Sequence, residues 1–444
     1  MRHHYHRIHP RLRGVHGLSP RDFPAGTLAP AQILTAYGFK QNQFAGASPI
    51  KLGIGSLGGG VVQQDIDNSV QAWGMAAPKL TVRTIGGAVN DPTSDQDSNV
   101  ENMLDIVPTM AFAWWWLTGT PADITITFGP NANGGMQAVT SDLVAAGVQV
   151  ASWSWGSAAD TWDPSERAAL SKVFAAAVAS GICFCAAAGD NSIDDGTTTP
   201  CTDYPCSDPN VWAVGGTHLS LAADGSRASE SAWGDGNPGD EGGGGGYDPT
   251  VPVPSWQAGV VPTDAPGRGV PDTAANADPN SGWQMSANGQ WTVVGGTSAS
   301  SPFTAALIAA AIGFAKATGK GLATPSIYAA GENGCFDITT GSNGDPATPG
   351  WDPATGLGTP RGANFTDALI AWAKGVAPTP APTPSPSPTP PAPPPASPAS
   401  VTLAQAQAWA TQGVNTGGFF MTRTQAAARA SSGLAENWPS SEET

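Results

Sequence analysis

The strongest candidate for a chemical site is the serine in Gly295-Gly-Thr-Ser-Ala-Ser-Ser-Pro302. The preceding residues Trp291–Val294 have the composition of a strand, and an alanine-rich apolar stretch follows. Ser298 is therefore predicted at a strand-to-helix junction, where free backbone N–H groups and the positive end of the helix dipole stabilise an oxyanion. The glycines let the backbone approach closely, and Pro302 suits a first helical turn. The alternative is a serine that only caps the helix.

The base that would activate this serine is not a histidine. Five of the six histidines lie within the first 16 residues, and we interpret His218, which follows Val-Gly-Gly-Thr, as a partly exposed residue after a strand. Glu101 and Asp105 are four residues apart in a predicted helix, so their Cβ atoms should lie ~5–6 Å apart on one face. Two close carboxyl groups resist double ionisation, so one holds a proton while the other accepts one. The alternative is an exposed helical face with two acids.

Several further motifs accompany these residues along the chain. They are Ser154-Trp155-Gly156, Ala186-Ala-Ala-Gly-Asp190, Val214-Gly-Gly-Thr217, Pro254-Ser-Trp-Gln257 and Gly267-Arg-Gly-Val-Pro-Asp272. The spacing Gly-Thr-Ser-x-x-x-Pro is similar to the nucleophile motif of subtilisin-fold peptidases. With the earlier Glu-x-x-x-Asp, the set resembles the sedolisin, or serine-carboxyl peptidase, family and its kumamolisin-like members. The resemblance runs from about residue 29 to 374.

The resemblance implies a role for each matching residue. Glu101 is expected to take the proton of Ser298, with Asp105 hydrogen-bonded to Glu101. Asp190 is expected to donate, as a protonated acid, to the oxyanion beside the Ser298 backbone N–H. The implied activity is an endopeptidase that hydrolyses polypeptides at acidic pH, in a secreted or extracellular location. An extended substrate would add a strand to the cleft, whose expected residues are Ser154, Trp155 and Gly156.

Two later stretches, Cys335–Gly341 and Pro349–Gly358, resemble the calcium loop of the same family. Calcium prefers carboxylate and main-chain carbonyl oxygens. The resemblance implies one structural Ca²⁺, held by the side chains of Asp337 and Asp352 and by the carbonyls of Ile338, Thr348 and Gly350. Thr348 stands where the family usually has glycine, so its backbone angle decides whether it can serve. The alternative is a pair of Asx turns.

Between these motifs, apolar strand-like runs alternate with helical stretches. The predicted strands are Lys51–Ile54, Ile124–Phe128, Val148–Trp153, Ile182–Ala188 and Val211–Val214, and the predicted helices are Asn99–Trp116, Met136–Ala146, Pro164–Ser180 and Ser301–Thr318. This alternation predicts an α/β fold with a mostly parallel sheet and helices on both faces. The family resemblance makes that fold subtilisin-like.

Composition divides the chain into four segments. Residues 1–26 are basic and histidine-rich, and we interpret them as a solvated tail, with transition-metal binding as the alternative. Residues 27–374 form the predicted peptidase domain. Residues 375–399 are a proline-rich linker, and residues 400–444 form a short segment with one helical stretch. We interpret residues 400–444 as a segment that could tether the chain to a partner.

The charge balance excludes one class of partner. The net charge is −16 and only 12% of the 444 residues are charged, which argues against a nucleic-acid partner, since such a partner needs a basic face. Sparse charge rich in carboxylates suits a protein that works in acid. No apolar run is expected to reach the ~18–20 residues of a membrane helix, and the N-terminus lacks a signal-peptide core.

The five cysteines do not have zinc-site spacing. Cys183 and Cys185 are predicted core thiols, and Cys201 and Cys206 could form a loop disulfide. We interpret Trp114–Trp116 as core and cleft wall. Two other readings remain open, a catalytically silent peptidase fold tethered through its linker and a histidine-dependent subtilase.

Overall fold

The computed structural model describes residues 6–7, 11–12, 23–236 and 240–376. The strands are β1 His6–Arg7, β2 Arg11–Leu12, β3 Lys51–Ser56, β4 Lys79–Thr84, β5 Asp123–Phe128, β6 Val150–Trp153, β7 Trp155–Ala158, β8 Cys183–Ala187, β9 Asp203–Tyr204, β10 Val211–Leu221, β11 Arg227–Ala232, β12 Gly246–Asp248, β13 Arg268–Val270, β14 Thr273–Asn276, β15 Trp283–Ala287, β16 Gln290–Gly295, β17 Cys335–Phe336 and β18 Thr359–Pro360. The α-helices are α1 Pro30–Ala36, α2 Gln63–Trp73, α3 Gln96–Leu104, α4 Phe112–Thr118, α5 Gly135–Ala145, α6 Pro164–Ala179, α7 Thr297–Ala315, α8 Thr324–Ala330 and α9 Gly362–Ala373.

The central sheet has the strand order β11-β10-β8-β6-β3-β5-β4, and β14 also pairs with β10. All of its pairings are parallel except that of the edge strand β11 with β10, which is antiparallel. β3 lies inside the sheet, with β5 and β4 on one side and β6, β8, β10 and β11 on the other, as in doubly wound α/β folds. The predicted α/β fold with a mostly parallel sheet is confirmed.

Alternating side chains give the sheet a separate core on each face. Along β8, Cys183 and Cys185 belong to the core that contains α7, whereas Phe184 and Ala186 belong to the core that contains α5 and α6. Successive residues of a strand point to opposite faces, so a strand that is buried on both sides is apolar throughout. This confirms helices on both faces and Cys183 and Cys185 as core thiols.

The predicted helix Asn99–Trp116 is not one continuous α-helix. Helix α3 ends at Leu104, a π-helical turn spans Asp105–Ala111, and α4 then begins at Phe112. Pro108 lies inside the π turn. Proline has no N–H for the carbonyl four residues earlier, and its ring clashes with that carbonyl, so the α pattern is interrupted there.

Helix α7 begins four residues earlier than predicted, at Thr297 rather than Ser301. It is also long and apolar enough to cross a membrane, which corrects the expectation that no run approaches that length. However, 89% of its most apolar window is buried inside the protein. Within the described part of the chain, α7 is thus a core helix packed against β6, β8 and β10.

The predictions of a solvated N-terminal tail and of a loop disulfide differ from the structure, whereas those for the C-terminal segments are not tested. Part of the N-terminal tail forms strands, since β1 pairs with β7 and β2 pairs with β16. The linker and residues 400–444 lie outside the described residues, so those boundaries stay predictions. The disulfide is not formed: the Sγ of Cys206 donates to the Asp203 carbonyl, and that of Cys201 donates to the Thr202 carbonyl.

A buried ion pair connects two of the sequence motifs to the sheet. Arg268 and Asp272 are both fully buried, with 2.7 Å between Nη2 and Oδ2. Arg268 also donates to the carbonyls of Cys206 and Val211. Asp272 accepts from the Ala213 N–H at the start of β10. This one ion pair therefore supplies hydrogen-bond partners for several backbone groups near the start of β10.

We expect Asp272→Asn to destabilise the protein by about 3–5 kcal/mol, because it leaves the buried Arg268 charge without its partner. The control is Asp123→Asn, which breaks the Lys79–Asp123 pair at 2.8 Å, where Lys79 is 70% exposed. That change should cost less than about 1 kcal/mol. Urea unfolding of both variants measures the difference, and equal losses would contradict this view of the buried pair.

Candidate active site

Ser298 is the second residue of α7 and is fully buried at the junction after β16. The chain turns there through Gly296, whose φ is +132°, a conformation that L side chains rarely adopt. Gly295 is also required, since a Cβ on it would lie 2.3 Å from the Ala277 carbonyl oxygen. The predicted strand-to-helix position of Ser298 is observed.

Pro302 is not in the first helical turn, as expected, but in the second. It is the residue four after Ser298, so it has no N–H to donate to the Ser298 carbonyl. The Ser154 hydroxyl lies 3.4 Å from that oxygen and 2.7 Å from Asp105 Oδ1. Ser154 therefore connects the nucleophile's backbone to the acidic pair.

Glu101 is fully buried on α3. Burial raises its pKa well above the usual value, the charge of Asp105 raises it further, and Asp190 adds a smaller effect in the same direction. The nearby hydroxyls of Ser298 and Ser154 lower it. Both hydroxyls act on Glu101 through side-chain hydrogen bonding, so the carboxyl group lies within reach of Ser298 and Ser154.

Asp105 is the first residue of the π turn and is also fully buried, which raises its pKa well above the usual value. Its Oδ1 accepts from Ser154, whereas the resemblance implied a hydrogen bond to Glu101. The turn is held by Thr109, whose hydroxyl lies 2.8 Å from the carbonyls of both Leu104 and Asp105. Leu104 is four residues before Pro108, so Thr109 supplies the donor that the proline lacks.

Asp190 follows β8 and is 1% exposed. Its Oδ1 accepts from the Thr297 backbone N–H at 2.7 Å and from the Thr297 hydroxyl at 2.8 Å. Thr297 immediately precedes Ser298, so these bonds fix Asp190 against the first residue of α7. The structure thus brings Glu101, Asp105, Asp190 and Ser298 together.

The expected cleft residues lie next to this centre. Ser154 contacts it directly, and Trp155 and Gly156 continue into β7. Trp155 is 3% exposed and belongs to the core on the α5–α6 face. The indole ring therefore packs in the core instead of lining an open surface, and the role of these three residues in a cleft stays a prediction.

Two other predicted groups are placed away from the reaction. His218 Nδ1 lies 2.8 Å from Asp278 Oδ2, and this hydrogen bond raises the pKa of His218. His218 is not among the groups that shift the pKa of Glu101. Trp114 is a core residue, as predicted, and the half-buried Trp115 and Trp116 pack against Phe112.

Sequence reasoning missed a second acidic pair, Asp195 and Asp203. Burial raises the pKa of Asp195 to about 7 and that of Asp203 well above its usual value, and the two side chains interact. A Cβ on Gly156 would lie 2.0 Å from Asp203 Oδ1, and one on Gly189 would lie 2.9 Å from Asp195 Oδ1. The Asp195–Asp203 pair therefore lies next to both β7 and Asp190. These acids are eight residues apart, with Asp195 in a loop and Asp203 in β9, and no local pattern signals their proximity.

The two acids of the expected calcium loop converge on one turn. Asp337 Oδ2 accepts from the Gly350 N–H at 3.0 Å, and Asp352 Oδ2 accepts from the Thr348 N–H at 2.9 Å. Burial raises the pKa of both, that of Asp352 to about 6. Thr348 does not have a positive φ, so threonine in place of glycine costs no backbone strain.

This donor set consists only of oxygen atoms. Among the described residues there is no group of three or more His, Cys, Asp or Glu side chains that could hold a metal ion. A site here must therefore combine the two carboxylates with carbonyls, including that of the buried Ile338. Such a set fits Ca²⁺ rather than a transition metal. The tail histidines lie outside the residues whose side chains are described.

Comparison with known proteins agrees with this geometry. The family model described as the subtilase family, peptidase S8, matches residues 122–330. Kumamolisin of Bacillus sp. (strain MN-32) is 34% identical over 395 residues, covering 84% of this chain and 69% of that protein. Sedolisin of Pseudomonas sp. (strain 101) is 30% identical over 381 residues, covering 79% and 63%. The solved structure of Pseudomonas sedolisin with two molecules of pseudo-iodotyrostatin matches with a TM-score of 0.67 at 26% identity, covering 79% of this chain and 99% of that one.

The mostly parallel sheet with a serine at the start of its central helix defines a subtilisin-like serine peptidase. Within that class, the chain belongs to the sedolisin family of serine-carboxyl peptidases and is similar to kumamolisin. The family predicted from the motifs is confirmed.

The second acidic pair makes stability depend on pH. Asp195 has a pKa of about 7 when folded and an ordinary pKa of 3.8, so the folded state binds more protons between these pH values. Stability should therefore fall as pH rises from about 4 to about 7, by about 1.4 kcal/mol per pH unit for each such group. Asp195→Asn should reduce the slope of stability against pH by about 1.4 kcal/mol per pH unit, which is the contribution of one bound proton.

Urea unfolding at several pH values in this range measures the slope. Asp224→Asn is the matched control, because Asp224 is fully exposed and its pKa is lowered by Ser226. It should leave the slope unchanged. An unchanged slope in Asp195→Asn would show that Asp195 does not hold a proton in the folded state.

Proposed function

We propose that this chain is an endopeptidase that cleaves polypeptides at acidic pH, with Ser298 as nucleophile and Glu101 as its general base. The single observation that carries this proposal is the burial of Glu101 and Asp105 beside Ser298, with Ser154 bonded to Asp105. In this arrangement a carboxylate can accept the hydroxyl proton that a histidine accepts in other serine peptidases.

In the first step the Ser298 hydroxyl attacks the peptide carbonyl, and its proton passes to Glu101. The raised pKa of Glu101 makes its carboxylate a stronger proton acceptor than an exposed one, and Asp105 carries the proton that the pair retains. Asp190, held by Thr297, donates a hydrogen bond to the developing oxyanion together with the Ser298 N–H. Glu101 then returns the proton to the leaving amine, and water hydrolyses the acyl-enzyme.

The proposed roles require acid for a physical reason. Asp190 can donate only while it is neutral, and its neighbours Asp195 and Asp203 add negative charge when they ionise. The rate should therefore fall as pH rises and these groups lose protons. With a buried carboxylate as the base, the site needs no histidine. This is consistent with His218, which is hydrogen-bonded to Asp278 instead.

We expect wild type, but not Ser298→Ala, to cleave a denatured protein at pH 3–5, and Glu101→Ala and Asp190→Ala to lose at least about 10² in kcat. The matched control is Ser300→Ala, because Ser300 lies in the same helix as Ser298 and its hydroxyl donates to the Ala275 carbonyl of β14 at 3.0 Å. Ser300→Ala should keep most of the activity. Cleavage by Ser298→Ala would refute the nucleophile, and a loss on replacing His218 would favour the histidine-dependent reading.

We further propose that Asp337 and Asp352 bind one structural Ca²⁺ with the carbonyls of Ile338, Thr348 and Gly350. Support comes from the convergence of the half-buried Asp337 and the buried Asp352 carboxylates on the turn at residues 348–350, where a cation would offset the cost of their burial. The ion would add rigidity to this loop and would take no part in peptide hydrolysis.

Removal of calcium should lower the thermal unfolding midpoint, because an ion that binds only the folded state at 100 times its Kd stabilises by about 2.7 kcal/mol. Scanning calorimetry with a chelator and with added Ca²⁺ measures this shift. Asp352→Asn should abolish the difference, whereas Asp163→Asn, which changes an exposed N-cap acid on α6, should retain it. An equal shift in both variants would place the calcium elsewhere.

We also propose a secreted location and polypeptides as partners, on the strength of the family. The role of residues 400–444 as a tether stays a prediction, since these residues lie outside the described part of the chain. No observation in the described residues favours a nucleic-acid partner, given the net charge of −16.

A further inference from the structure

The main chain at Asp190 is held by the buried glycine run at residues 242–246. The Gly244 N–H donates to the Gly189 carbonyl at 2.8 Å, and the Gly242 N–H donates to the Asp190 carbonyl at 3.3 Å. A Cβ on Gly244 would lie 1.9 Å from the carbonyl oxygen that precedes Gly189, so this close approach requires glycine. Because the main chain is fixed, the orientation of the Asp190 carboxyl group depends on the groups that contact its side chain.

Thr297 supplies two of these contacts, and both are to the same oxygen. Its backbone N–H donates to Asp190 Oδ1 at 2.7 Å, and its hydroxyl lies 2.8 Å from that oxygen. The hydroxyl is itself held in place, since Oγ1 accepts from the Gly189 N–H at 3.2 Å. Thr297 is therefore a fixed pair of donors that converges on one oxygen of Asp190.

Two donors on one oxygen determine where a neutral carboxyl group carries its proton. The carbonyl oxygen of a carboxylic acid accepts hydrogen bonds, whereas its other oxygen carries the proton and donates it. With both Thr297 donors on Oδ1, Oδ1 is the carbonyl oxygen of Asp190 and Oδ2 carries the proton. In the opposite arrangement Oδ1 would donate to the Thr297 hydroxyl, which would turn to the Gly189 carbonyl at 3.1 Å. The shorter distances to Asp190 favour the first arrangement.

We propose that Thr297 is a positioning residue that places the acid proton of Asp190 on Oδ2, so that this oxygen donates to the oxyanion. The inference rests on the proposed function, in which a neutral Asp190 is an oxyanion donor. A carboxyl group that carried its proton on Oδ1 would donate to Thr297 instead. Thr297 thus acts on the reaction through Asp190 and does not contact the reacting atoms.

The charged surroundings of Asp190 have a different effect from Thr297. The titratable groups that interact with Asp190 are Glu101 on α3, Asp195 in the loop after β8 and Asp203 in β9. These acids affect how readily Asp190 loses its proton, whereas the choice between its two oxygens depends on hydrogen-bond donors. Removal of the Thr297 hydroxyl leaves the three acids in place, so a changed pH dependence would report the lost donor.

The first test is Thr297→Val, which keeps the branched shape and the backbone N–H and removes the hydroxyl. We expect kcat to fall about tenfold with KM unchanged, the loss typical of one hydrogen bond made in the transition state. The alkaline limb of the pH–rate profile should move upward by about half a unit to one unit, because ionised Asp190 loses a donor that stabilises it. Thr297→Ser, which restores the hydroxyl, should recover both properties.

The matched control is Thr304→Val, the same substitution in the same helix. Thr304 is fully buried, and its hydroxyl has no hydrogen-bond partner among the described residues. This variant should keep the kcat and the alkaline limb of wild type. The proposal is overturned if kcat in Thr297→Val is unchanged or raised, if it falls without a shift of the alkaline limb, if Thr297→Ser does not recover, or if Thr304→Val behaves like Thr297→Val.

The second test observes the proton without turnover. Infrared difference spectra between each protein and the same protein with Asp190→Asn isolate the C=O stretching band of neutral Asp190 at acidic pH. If Oδ1 is the carbonyl oxygen, Thr297→Val removes one of its donors and should raise the frequency of this band, and Thr304→Val should not. A band that does not move in Thr297→Val would place the carbonyl at Oδ2, and a missing band would show that Asp190 is ionised. Either result would overturn the proposal.

The two tests separate this inference from the proposed function. If wild type cleaves no protein at acidic pH, the proposed function fails, and the infrared band still decides which oxygen of Asp190 carries the proton. If wild type is active and the band does not move in Thr297→Val, only the inference fails.

Discussion

The burial of the Glu101 and Asp105 carboxyl groups beside each other determines how the rest of the site is built. Among the described residues, the groups that shift the pKa of Glu101 are acids and hydroxyls, and none of them is a cation that would offset the cost of burial. Such a pair persists in a folded protein only if it retains a proton. Ser154 accommodates this by donating to Asp105, and Ser298 and Ser154 stabilise what charge remains. Asp195 and Asp203 repeat the arrangement beside Asp190. The chemistry of the site is therefore that of shared protons rather than of ion pairs.

Two prolines contribute to the geometry in the same way. Pro302 leaves the Ser298 carbonyl without its helical donor, and Pro108 does the same for Leu104. In each case a hydroxyl supplies a donor near the freed oxygen, Ser154 at the first and Thr109 at the second. A buried carbonyl without a donor is costly, so these hydroxyls are constrained in position. Because Ser154 also binds Asp105, the backbone of the nucleophile and the acidic pair are positioned by one side chain.

The sequence allowed the sheet to be predicted closely where strands are continuous apolar runs. The start of β5 and both ends of β8 differ from prediction by only one residue, because strands buried on both faces admit few polar residues and so stand out as apolar runs. Strand β10 was predicted to end at Val214 and reaches Leu221, because Gly215 and Gly216 interrupt the apolar run but leave room for the side chains of Pro271 and Trp233. Glu101 and Ser298 were located by motif. The Asp195–Asp203 pair and the pairing of β1 could not be, because both depend on which distant edges meet in the fold.

The π turn at Asp105–Ala111 restricts how this part of the chain can change in length. Each residue of an α-helix turns the chain by about 100°, so a single deletion within the turn would rotate one flank relative to the other. Asp105 would then leave the face it shares with Glu101, or the aromatic packing of α4 would lose its orientation. Substitutions preserve the residue count and avoid this rotation. The segment should therefore tolerate exchange of its apolar side chains far better than insertion or deletion of even one residue, so its length is a functional constraint in its own right.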